Sequence, residues 1–281
     1  MRFVQVRAGD GIVPGVIVDD TIVDLSAVTA EIDGAFLGRG DLHEVVGTAI
    51  DSAPRLRLEG ADLAAPIARP IKILCIGLNF SDHAAESNLP IPAEPVLFMK
   101  DPSTIVGPYD DVLIPRNSVK TDWEVELGVV IGKEARYLAS PEDAADVIGG
   151  YVLSHDVSER EFQLERGGQW DKGKSCETFN PLGPWVATPD EVGDPQALGM
   201  KLSVNGVLRQ DGSSANQVFG VYHVIWYLSQ FLVLKPGDLI NTGTPAGVGL
   251  GIPGQPYLRD GDVVELSIDR LGSARQTFRQ A

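Results

Sequence analysis

The sequence predicts a β-rich α+β protein built on mixed sheets. Strand-like runs are numerous and short, Gly and Pro interrupt them (31 and 19 of 281 residues), and the few helical patterns do not alternate with strands as a doubly wound fold requires. The opening segments 3–6, 15–18 and 21–25, broken by Gly-Asp-Gly and Asp-Asp turns, read as a small β-meander. A helical pattern at 42–50 follows, and Pro66 and Pro70 then mark a boundary ahead of the apolar run 71–76. This places a small β-rich N-terminal domain at 1–67 and the main domain at 68–281. Beyond the boundary, strands are expected at 96–99, 112–114, 124–131, 150–155, 201–204, 238–241 and 263–268. Helices are expected just after Phe80, at 141–147 and at 218–231.

A chain of 281 residues can bury a sizeable core. Its 23 basic and 39 acidic residues give a formal net charge of −16, which repels phosphate backbones and anionic membrane surfaces and argues against both as partners. A small anionic substrate remains compatible, because a local metal ion or lysine sets the potential at contact distance. Cys75 and Cys176 lack CxxC spacing, which points to a reducing compartment without structural zinc. With no basic leader and no apolar run near the roughly 20 residues of a membrane span, the expected location is the cytoplasm.

The run TDWEVELGVVIG at 121–132 sets Glu124 and Glu126 two apart, so on a strand their side chains share a face, roughly 6–7 Å apart. Asp156 follows in a second strand-like run. Three carboxylates brought together repel one another, and an ionised cluster needs a cation to hold it. Oxygen-only ligation favours magnesium, manganese or calcium over zinc. The same run also fits a strand whose apolar face is Trp123, Val125, Leu127, Val129 and Ile131 and whose glutamates face water.

In GLNFSDHAAE at 77–86, His83 and Glu86 are neighbours on one helical turn. A glutamate accepting from one imidazole nitrogen raises the basicity of the other, as a water-activating base requires; an exposed polar pair is the alternative. Prolines 90, 92 and 95 follow, the composition of a mobile lid. Two motif matches carry no chemistry. Residues 168–175 fit GxxxxGK[ST], but no apolar strand precedes them and Pro181 and Pro184 follow. Residues 249–254 fit GxGxxG, but Pro253 and Pro256 forbid the helix that should follow.

Between residues 71 and 272 the segments GLNFSDHAAE, KDPSTIVGP, DWEVELGVVIG, HDVSEREFQ, GKSCETFNPLGPW, VNG, LKPGDLINTGTPAGVG and LRDGD occur in that order. As an ordered set they resemble the fumarylacetoacetate hydrolase family. The resemblance implies the mixed β-sheet roll of that family's C-terminal domain, a homodimer, and magnesium (or manganese or calcium) on Glu124, Glu126 and Asp156. It also implies that His83 and Glu86 activate water on a lid and that Lys174 steadies the reacting oxyanion or enolate. By the same carry-over Arg160 and Gln163 orient the substrate, Thr244 in TGTP holds its carboxylate, and Lys100 lines the site. Three positions depart from the common pattern: Phe80 stands for a frequent tyrosine, His155 for an asparagine and Glu177 for an aspartate. Strand alternation turns His155 away from the ion.

The activity so implied is metal-dependent hydrolysis of a carbon–carbon bond in a small anionic keto acid. The substrate class is a 2,4-dioxo acid, either an acylpyruvate or a 2,4-diketo-3-deoxy sugar acid, and the products are pyruvate and a carboxylic acid. Within the family, HAAESNLP, ERGGQW and GKSC resemble the branch labelled ureidoglycolate lyase or diketo-deoxy-sugar-acid hydrolase. Oxaloacetate decarboxylation and ureidoglycolate cleavage are alternatives on the same metal site. A non-catalytic calcium-binding scaffold is the alternative outside enzymes.

Overall fold

A computed structural model describes residues 1–82 and 90–281. The β-branched run Val125–Ile131 forms a strand with all seven residues buried, which is possible only where both faces of its sheet are covered. It lies inside a ten-stranded sheet. From one edge the order is Arg55–Arg57, Thr21–Asp24, Gly11–Val18, Arg2–Ala8, Val186–Ala187, Ile148–His155, Val125–Ile131, Leu239–Asn241, Ile73–Gly77 and Val96–Lys100. Neighbours run antiparallel except Leu239–Asn241 beside Ile73–Gly77, which makes the sheet mixed. The opening meander joins this sheet directly, through Arg2 opposite Ala187 and Phe3 opposite Val186.

Alternation along the central strands separates two cores. Leu74, Ile76, Val125, Leu127, Val129 and Ile131 face the helix Val221–Ser229 and a second sheet. That sheet has five strands, in the order Val207–Ser213, Gly199–Val204, Val263–Ile268, Gly272–Gln280 and Val112–Ile114. Ile73, Cys75, Phe98, Val130 and Val152 face the other way, onto the helices Gly34–Leu37 and Leu42–Ser52. Glu124 and Glu126 belong to this second face and are not on a wet one: they are only 5 % and 2 % exposed.

Two helical expectations change in detail. Residues Pro141–Val147 form a 3-10 helix rather than an α-helix, started by Pro141 in its first turn and held by a reciprocal Ser140–Asp143 cap. The helix expected at 218–231 spans Val221–Ser229. The segment after Phe80 is described only through Asp82, so His83 and Glu86 lie outside the described residues. Among the described residues no helix is long and apolar enough to cross a membrane.

Candidate active site

Two neighbouring strands bring the acids together. Val125 pairs with His155 and Glu126 with Ser154, and the pairing runs one step past both strand ends, where the Asp156 amide donates to the Glu124 carbonyl at 3.0 Å. Glu124 and Asp156 thus stand opposite each other on the face that carries Glu126. One carboxylate oxygen from each lies within 4.8 Å of the other two, and all three residues are buried. The same register turns His155 to the Val125 side. Its Nδ1 lies 3.0 Å from Gln276 Oε1, its ring meets Phe278 edge-on, and Nε2 is buried without a partner. Burial foremost lowers its pKa to about 4, so the imidazole is neutral.

Cations surround the acids. Lys174 Nζ donates to Glu124 Oε2 at 2.8 Å and to Asp156 Oδ2 at 2.9 Å. Burial alone would depress this ammonium's pKa, but Asp156 and Glu124 outweigh burial and the net shift is upward. Lys174 arrives here on the four-residue helix Asp171–Lys174, which packs on the helix Arg160–Leu164. Gly173 makes that approach possible, since a Cβ there would sit 2.3 Å from the Glu159 carbonyl oxygen. Arg160 Nη2 donates to Glu124 Oε1 at 2.7 Å, Nε to Asp122 Oδ2 at 2.7 Å, and Nη1 to Gln163 Oε1 at 3.0 Å. Glu159 caps the short helix that carries Arg160 and Gln163, accepting from the Phe162 amide at 2.7 Å.

Lys100, expected to line the site, does not touch the cavity. Its Nζ is spent behind the cluster on Asp156 Oδ1 (2.5 Å) and the Val157 carbonyl (3.0 Å), where it positions the aspartate. Thr244 does line the cavity, but its hydroxyl donates to the Val125 carbonyl and accepts from Gln210 Nε2, each at 2.8 Å. Asp122 is a residue that the sequence reading passed over. It accepts from Arg160 and from the Trp123, Gly249 and Leu250 amides, so it ties the guanidinium to the loop at the cavity rim. The signal was available: Asp122, Glu124 and Glu126 share one strand face at spacing two. In the 249–251 loop the Gly249 and Leu250 amides thus go to this aspartate, and the Gly251 amide goes to the Val248 carbonyl.

The cavity over the cluster has a volume of about 400 Å³. Glu124, Glu126, Arg160, Gln163, Lys174 and Thr244 form its polar end. Leu78, Phe98, Leu164, Trp170 and Leu250 are among its apolar lining. The donor set fits a hard divalent ion: four ionisable carboxylates (Asp122, Glu124, Glu126, Asp156) meet three cations (Lys100, Arg160, Lys174). Burial first, then Asp156 and Glu124, push the Glu126 carboxyl well above the ordinary carboxylate range, against Lys174 and the Gly243 amide, which pull the other way. An added cation relieves that repulsion.

Comparison with known proteins bears on the chain as a whole. The family model described as fumarylacetoacetate (FAA) hydrolase C-terminal matches residues 72–279. A 2,4-didehydro-3-deoxy-L-rhamnonate hydrolase of Sphingomonas sp. (strain SKA58) is 48 % identical over 266 residues, covering 94 % of this chain and 90 % of the relative. The structure of a fumarylacetoacetate hydrolase from psychrophilic Exiguobacterium antarcticum superposes with a TM-score of 0.89 at 34 % identity, covering 100 % of both chains. A maleylpyruvate hydrolase from Sphingobium sp. SYK-6, solved with manganese(II) and pyruvate, gives a TM-score of 0.82 at 31 % identity, again over 100 % of both.

Proposed function

The chain belongs to the fumarylacetoacetate hydrolase family, and on that premise we propose that it is a divalent-metal hydrolase. It cleaves a carbon–carbon bond in a 2,4-dioxo acid, an acylpyruvate or a 2,4-diketo-3-deoxy sugar acid, to pyruvate and a carboxylic acid. The observation that carries this reading is the buried trio Glu124, Glu126 and Asp156, with oxygens within 4.8 Å at the floor of a cavity edged by Lys174 and Arg160. Magnesium is the ion assigned, with manganese and calcium sharing its preference for oxygen donors. The working enzyme is taken to be a cytoplasmic homodimer.

Glu124, Glu126 and Asp156 would hold the ion, which when bound would supply Lewis-acid polarisation to the 2-oxo acid end of the substrate. Arg160 and Gln163, already linked to each other, orient that end, and Thr244 takes part by exchanging its hydroxyl contact with Val125 for one to the carboxylate. His83, aided by Glu86, takes a proton from water. The water oxygen then bonds to the distal carbonyl carbon. The bond from that carbon to the neighbouring methylene breaks, its electron pair passes into a pyruvate enolate, and protonation of the enolate carbon completes pyruvate. Lys174 stays protonated because Asp156 and Glu124 raise its pKa, so it meets the developing enolate charge as a donor.

The test uses metal-stripped protein, a panel of acylpyruvates, a 2,4-diketo-3-deoxy sugar acid, oxaloacetate and ureidoglycolate, and a coupled assay for pyruvate. Release from dioxo acids on return of magnesium or manganese, lost in His83→Ala, supports hydrolysis. Turnover of oxaloacetate alone, surviving His83→Ala, identifies a decarboxylase instead. Silence on every compound with either ion overturns the enzyme reading.

A further inference from the structure

We infer that Gln210 is a positioning residue that holds the Thr244 hydroxyl ready to donate to the substrate carboxylate, an inference that rests on the reading of Thr244 above. Backbone pairing between Val125–Ile131 and Leu239–Asn241 ends with Gly128 opposite Asn241. The Thr242 amide still reaches the Leu127 carbonyl, but at Val125, between the two glutamates, side chains take over the ladder. The Val125 amide donates to Gln210 Oε1 at 3.0 Å, and the Val125 carbonyl accepts from the Thr244 hydroxyl at 2.8 Å. Gln210 closes the ring: its Nε2 donates to Thr244 Oγ1 and to the Pro245 carbonyl, each at 2.8 Å.

Chemistry sets the orientation of this amide. An N–H cannot accept and a carbonyl cannot donate, so the reversed amide would oppose donor to donor at Val125 and acceptor to acceptor at Pro245. With an Nε2 proton fixed on Oγ1, the hydroxyl's own proton must go to another acceptor. That acceptor is the Val125 carbonyl here and the substrate carboxylate in the complex. A hydroxyl that already accepts a hydrogen bond is also the stronger donor. Gln210 is fully buried, and its strand, Val207–Ser213, presses on the loop to either side of it. A Cβ on Gly212 would lie 2.5 Å from Pro245 Cβ, and one on Gly247 would lie 1.9 Å from the Arg209 carbonyl oxygen.

The experiment reads binding rather than turnover. Titration calorimetry with pyruvate on manganese-loaded protein compares wild type, Gln210→Met, Thr244→Val and the double variant. Each single change is expected to weaken pyruvate about tenfold, and the double variant no more than about twofold beyond Thr244→Val, because Gln210 acts through that hydroxyl. A glutamine that merely packed the loop would lower the melting temperature and leave the affinity of the folded protein unchanged. If Thr244→Val weakens pyruvate, unchanged affinity in Gln210→Met, or losses that multiply to about 100-fold in the double variant, overturns the inference and leaves the carboxylate contact standing. Unchanged affinity in Thr244→Val overturns that contact and the inference together. A crystal structure of the wild-type complex with manganese and pyruvate decides the matter without a variant at 210. Thr244 Oγ1 should lie about 3 Å from both Gln210 Nε2 and a pyruvate carboxylate oxygen, and separation of Gln210 from Thr244 in that complex overturns the inference.

Discussion

Replacing Lys174 by methionine tests whether the acid cluster depends on its ammonium. The substitution keeps the length of the stem and deletes the charge that bridges Glu124 (2.8 Å) and Asp156 (2.9 Å) at a residue only 2 % exposed. Removing one partner of a buried ion pair costs about 3–5 kcal/mol, because the remaining charges stay desolvated. Unfolding entropy of about 2.1 cal/mol/K per residue over 281 residues makes 1 kcal/mol worth about 1.7 °C, so the melting temperature should fall by about 5–8 °C. Scanning calorimetry of both proteins in chelator measures this directly. In excess magnesium the deficit should shrink, since the ion restores positive charge to the same oxygens. A variant that melts within about 1 °C of wild type in chelator would refute the reasoning, because the carboxylates would then not need the lysine.

Three further outcomes follow from the same geometry. Chelation should abolish pyruvate release, and magnesium at about 100 times its Kd should raise the melting temperature by about 5 °C, read by calorimetry with and without the ion. His155 is held neutral with its pKa lowered to about 4, so the unfolded chain binds the extra proton between the unperturbed value near 6.5 and about 4. Stability from this group is thus complete above pH 6.5 and is lost as pH falls through that window, by about 3 kcal/mol, and denaturant melts of His155→Asn should lack that acid-side loss. Asp122→Asn should cut kcat/KM about 100-fold, mainly through KM, because Arg160 loses a charged partner and one of the two oxygens that serve the Gly249 and Leu250 amides becomes an NH2 donor; steady-state kinetics with a circular-dichroism control would show it.

Much of the scaffold was legible because burial is written in residue type. The run Val125–Ile131 is apolar or β-branched at nearly every position, and a strand covered on both faces requires that. Val207–Ser213 and Gly272–Gln280 were passed over for the opposite reason. In Gly272–Gln280 the inward residues are Ala274, Gln276 and Phe278, alternating with Ser273, Arg275, Thr277 and Arg279, so period two is present while hydrophobicity is not. Gln276 faces inward because it meets His155 Nδ1, a contact between residues 121 apart in sequence. The clustering of Glu124, Glu126 and Asp156 was readable from spacing and resemblance together. Spacing did not reveal that Lys100 stands behind Asp156, or that Lys174 reaches the cluster only because Gly173 lets two short helices touch. Both are properties of packing between distant segments.

The acids sit on two strands locked by ladder hydrogen bonds, whereas Leu78, Leu164, Trp170 and Leu250 sit on loops and the ends of short helices. This divides the molecule into a chassis and a set of exchangeable fittings. A combinatorial library at 78, 164, 170 and 250 would resample which tails are accepted while the reacting groups keep their registration. New selectivities can accordingly arise in few mutational steps, without rebuilding the catalyst beneath them.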